Sequence, residues 1–61
     1  MSAAPHPLAR AEQLLSQLEA ARAKLEQTEE PDAALELLDE IARLAREAHV
    51  EIERAKHELD G

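Results

Sequence analysis

Sixty-one residues with a formal charge of -7 and no cysteine, tryptophan, tyrosine or phenylalanine make at most one small domain, and a chain this short buries only about 60% of the surface its unfolded form exposes. Without cysteine there is no disulfide staple, and three histidines with carboxylates are a poor set for a structural zinc, so oligomerisation is the remaining route to extra stability. The acidity and the lack of aromatic stacking platforms speak against direct nucleic-acid binding, which draws its affinity from clustered Lys and Arg.

No stretch is long and apolar enough to span a bilayer, and the first residues lack the basic start and apolar run of a secretory signal, so the default expectation is a cytoplasmic chain. Residues 1–7 hold two prolines around His6, which push Ala4 and His6 toward extended backbone. This segment reads as an N-terminal arm, either a strap over the far end of the second helix or a frayed terminus. Pro7 also suits the first turn of a helix, where no amide hydrogen is needed.

From about residue 8 to 28 the apolar positions Ala11, Leu14, Leu18, Ala21 and Leu25 alternate in spacings of three and four, with Leu8 and Leu15 widening the stripe. That is the seam of a helix packed lengthwise on another. Arg22 stands four residues before Glu26, a spacing for an exposed ion pair. The pattern breaks once, between Glu26 and Asp32, and Pro31 punctuates the break because it fits the first turn of a new helix and not the interior of a long one. A turn at about residues 29–31 follows, with Thr28 or Glu30 as the cap. A bent continuous helix is the competing expectation, since the link is short and lacks glycine.

The second helix is expected over residues 31–60, about 45 Å at 1.5 Å per residue against about 30 Å for the first. Ala34, Leu38, Ile41, Ala45, Ala48, Ile52, Ala55 and Leu59 read as its seam, with Leu37 and Leu44 as a second apolar edge. A turn near Glu30 would set Leu25 opposite Leu35, Leu18 near Ile41, Leu14 near Ala45 and Leu8 near Ile52, leaving Ala55 and Leu59 as an overhang to be covered by the arm or another chain. The expected fold is therefore an all-α, antiparallel two-helix hairpin that assembles into a four-helix bundle or coiled-coil-like oligomer. Its apolar arc is wider than one neighbour can bury, which points to self-association or docking on a larger protein. The plainer reading is that single surface leucines are ordinary.

Chemistry has few footholds. His49, Glu53 and His57 share a side of the second helix at spacings of four, but they lack the Glu-x-x-His and His-Glu-x-x-His patterns of metal-binding helices. The run Glu26, Glu29, Glu30, Asp32, Glu36, Asp39 and Glu40 contains no base and reads as a docking face for a basic partner or as a solubilising tip. Catalytic carboxylates need a pocket that raises one pKa, and two helices offer none. Asp39 stands four residues before Arg43, ordinary helix support. No glycine-rich phosphate loop, nucleophile elbow or cysteine nucleophile is present. Neither a catalytic residue nor a cofactor is expected.

Leu18 and Glu19, Leu25 and Glu26, the turn ending in Pro31, then Ala34 and Leu35, Leu38 and Asp39, Leu44 and Ala45, Ile52 and Ala55 together resemble the small subunit of bacterial exodeoxyribonuclease VII. The likeness covers about Leu14 to Leu59. Leu38 stands where that family tends to have an aromatic residue, Ile41 where it tends to have glycine, Lys56 where Glu is common, and the turn lacks the family's glycine. The resemblance implies a non-catalytic accessory chain, several copies of which bind the helical part of a large subunit that degrades single-stranded DNA. The interface expected from it comprises Leu14, Leu18, Leu25, Leu35, Leu37, Leu38, Ile41, Leu44, Ile52 and Leu59, shared among sister copies and the nuclease large subunit. The alternative is a homodimeric hairpin adaptor or regulator with no nuclease link.

Overall fold

The computed structural model describes residues 6–60, which form two helices and no strand. Helix α1 spans Pro7–Glu26 and α2 spans Pro31–Asp60. They pack against each other along their lengths as an antiparallel hairpin measuring 46 × 24 × 13 Å, so the molecule is one layer of helix thick. The strap reading of the arm falls largely on residues 1–5, outside the described residues.

Pro7 occupies the first turn of α1, and His6 caps it. His6 is extended, at φ -59° and ψ 144°; its Nδ1 accepts from the Leu8 amide at 3.0 Å and its carbonyl accepts from the Arg10 amide at 2.9 Å. A histidine thus performs the work usual for Ser or Asp, satisfying an amide that the helix leaves unpaired.

The link is a four-residue turn, Gln27 to Glu30, and not a bend in one long helix. Thr28 closes α1: its Oγ1 donates to the Lys24 carbonyl at 2.7 Å and its amide to the Leu25 carbonyl at 3.1 Å. This fold-back ends the helix two residues before the expected Thr28 and settles that Thr28 caps α1 from behind. Glu30 serves α2, its carbonyl accepting from the Ala34 amide at 2.9 Å. No residue among those described has positive φ, which is why the turn manages without glycine.

The core is one short row. Ala11, Leu14 and Ala21 of α1 are buried with Leu44, Ala48 and Ala55 of α2; Leu14, Leu44 and Ala48 form one cluster, with Leu18 packed against it. In α1 the seam lies where the sequence places it. In α2 it is rotated: the covered positions include Ala34, Leu37, Ile41, Leu44, Ala48, Glu51 and Ala55, while Leu38, Ala45, Ile52 and Leu59 are exposed. Leu37 and Leu44, expected as a second edge, therefore belong to the seam.

The expected pairing of Leu25 with Leu35 does not form either, since Leu35 points outward at 61% exposure. Nor does Ala55 overhang. It is 3% exposed because alanines at 11, 48 and 55 let the helices approach closely at the open end, and His6 extends the contact by reaching Glu58, Nε2 to Oε1, at 3.1 Å. Leu59 alone of the expected overhang remains bare, at 81%.

Candidate protein interface

Two flanks run beside the seam, and they differ in chemistry. On one, Gln17, Ala20, Ala21 and Lys24 of α1 and Leu37 and Glu40 of α2 line a shallow groove of about 260 Å³, continued toward the turn by Thr28, Ala33 and Glu36 in a second of about 250 Å³. This flank fixes the hand of the hairpin. Helical steps of 100° per residue place Glu47, Glu51 and Glu58 of α2 on the same side, and the His6 to Glu58 contact bridges the helices there.

The opposite flank is apolar by the same geometry. Leu8 and Leu15 of α1, 50% and 46% exposed, share it with Leu38 and Ile52 of α2, 48% and 38% exposed. Ala45 lies between Leu38 and Ile52 and Leu59 beyond, both exposed. Within α2 these residues recur every seventh position, as do Leu8 and Leu15, so each helix carries a straight column that no part of the described chain covers. Leu35 and Val50 are exposed too, at 61% and 48%, but stand off the column.

Of the residues expected at an interface, the structure therefore uses Leu14 and Leu44 inside the hairpin, half-covers Leu18, Leu25, Leu37 and Ile41, and leaves Leu35, Leu38, Ile52 and Leu59 exposed. Leu8, Leu15 and Ala45 belong beside Leu38 and Ile52. Their sevenfold spacing is the signal that marks them.

Exposed ion pairs decorate the other faces. Arg22 bridges Glu19 at 3.1 Å and Glu26 at 2.6 Å; the Glu19 hydrogen bond, then the charges of Glu19 and Glu26, hold its guanidinium above the ordinary arginine value. Arg43 pairs with Glu47 at 2.7 Å in place of Asp39, whose side chain is one methylene shorter. Glu53 contacts His49 at 4.0 Å and Lys56 at 3.4 Å. Among the described residues no group of three or more His, Asp or Glu is placed to hold a metal ion.

The acidic run lies around the turn and along the first turns of α2, and all seven of its side chains are exposed. No helix among the described residues is long and apolar enough to cross a membrane. No protein-family model, curated protein or solved structure matches the chain.

Proposed function

We propose that the chain is a non-catalytic accessory subunit that works by packing its helices on other helices. The observation that carries this reading is the uncovered column pair, Leu8 and Leu15 beside Leu38, Ala45, Ile52 and Leu59, on a hairpin whose own core is mostly alanine. Contiguous exposed leucine and isoleucine rimmed by charge mark a surface that another polypeptide shelters. The mechanism is scaffolding: apolar burial against a partner's helices stabilises that partner in its working form.

The resemblance to the exodeoxyribonuclease VII small subunit supplies the partner. On that reading several copies brace the helical portion of a cytoplasmic large subunit, which holds and cleaves single-stranded DNA while this acidic chain stays off the nucleic acid. Coexpression with a nuclease large subunit from the same source tests it. The expected result is a stable complex whose single-strand exonuclease activity falls when this chain is omitted; a large subunit equally active and soluble without it, and no complex, would sink the proposal.

A further inference from the structure

We infer that the apolar flank is closed by a second copy of this chain, turned end for end about a two-fold axis that crosses both helices at the level of Ala11 and Ala48. This inference does not rest on the nuclease reading; it makes the dimer, with this flank already covered, the unit that a larger partner would meet.

The argument is one of register. Leu14 packs with Leu44 and Ala48, so residue 14 stands level with about residue 46, and Leu15 and Leu8 stand level with Ala45 and Ile52. The midpoint of the α2 column, between Leu38 and Leu59, falls between Ala48 and His49. The midpoint of the α1 column, between Leu8 and Leu15, falls between Ala11 and Glu12, which is the same level. One two-fold axis therefore maps both columns onto themselves. Leu38 meets Leu59 of the copy, Ala45 meets Ile52, and Leu8 meets Leu15. A face that is its own complement is what a two-fold homodimer requires, and setting a small residue against a large one lets facing layers interlock.

Charge agrees with the same register. Along the outer rim of α2 the mapping brings Arg46 to Glu53 of the copy, and Lys56 and His57 to Asp39. The acidic turns, carrying Glu29, Glu30, Asp32 and Glu36, go to opposite ends of the assembly. A two-fold parallel to the helices would instead crowd both turns together and set Arg22 on Leu38. Glu12 meets its own copy near the axis and Asp39 comes near Asp60 of the copy, two like-charge contacts at the rim. Under this register the copies overlap along α2 from about residue 37 to 60, roughly 35 Å at 1.5 Å per residue, and the second hairpin supplies the layer that a structure 13 Å thick lacks.

Sedimentation of the full chain across concentrations, with single cysteines introduced into a sequence that has none, tests both the dimer and its register. The expected result is a monomer–dimer equilibrium in which Ile52→Glu weakens association about a hundredfold or more, keeps its helical circular dichroism at low concentration, and leaves Leu35→Glu, off the column, unaffected. In short-linker thiol crosslinking, His49→Cys should join to its own copy, and Leu38→Cys should join to Leu59→Cys but not to itself. A chain that stays monomeric at several hundred micromolar, or a dimer indifferent to Ile52→Glu, overturns the inference. Self-crosslinking of Leu38→Cys with none at His49→Cys overturns the register.

Discussion

Leu14 of α1 and Leu44 of α2 meet in the middle of the hairpin and are the two large side chains that solvent scarcely reaches, at 2% and 1% exposure. Around them the other buried positions are all alanine, so these two leucines are the fully buried large side chains that join the helices.

Leu44→Ala should therefore cost about 2–5 kcal/mol, enough to unfold a hairpin whose total stability is small at this size. Leu38→Ala, one turn and a half away on the bare flank, should cost under about 0.5 kcal/mol in dilute solution, as surface changes do. Urea titrations followed by helical circular dichroism, at a concentration where sedimentation shows monomer, would rank the pair. Equal losses would mean that the α2 seam faces the other way.

His6 joins two helices through one ring. Its Nδ1 accepts from the Leu8 amide, and its Nε2 stands 3.1 Å from Oε1 of Glu58. His6→Ala should cost about 0.5–2 kcal/mol, the range for loss of a helix cap, and should speed amide exchange at Leu8 to Arg10. His6→Asn keeps a capping oxygen but does not reach Glu58, and should restore most of the loss. Exchange rates unchanged in the alanine variant would show that the cap does not hold.

Glu36 lies four residues after Asp32 and four before Glu40, with no base between. Two repulsive spacings on one exposed helix face cost a few tenths of a kcal/mol each. Glu36→Lys makes both attractive and should stabilise the hairpin by roughly 0.5–1 kcal/mol at low ionic strength, with the gain fading toward 1 M salt as charges are screened. Thermal melts at two salt concentrations suffice. A gain that survives high salt would have a cause other than charge.

Pro31 opens α2 after a turn built without positive φ. Pro31→Ala leaves every hydrogen bond in place and frees the unfolded chain, so it should lower stability by about 0.4–1 kcal/mol. Combined with Thr28→Ala, which removes the bond to the Lys24 carbonyl, it should also let helix propagate into the turn, visible as added helicity and as slower exchange at Glu29 and Glu30. No change at these amides would mean that packing of the two arms alone enforces the turn.

Patterning along the chain was enough to establish two helices, the break at Pro31, the antiparallel arrangement and the face that α1 turns inward, since Ala11, Leu14, Leu18, Ala21 and Leu25 leave α1 a single dominant seam. It was not enough for α2. That helix carries three adjacent columns at sevenfold spacing, through Ala34, Ile41, Ala48 and Ala55, through Leu37 and Leu44, and through Leu38, Ala45, Ile52 and Leu59, and periodicity alone pairs the first with the third because both are apolar along the whole helix. Tertiary structure pairs the first with the shorter second, because Leu37 and Leu44 fill the turn half against α1. The glutamates that continue their column are accommodated by bending their tips to the edge: the Glu51 side chain is only 17% exposed while its carboxylate stands 3.4 Å from Arg54, and Glu58 reaches His6. A long charged side chain covers apolar surface with its stem and keeps its head in water, a freedom that a residue-by-residue count of polarity does not register. Which apolar column stayed outside was thus decided only when the two helices met.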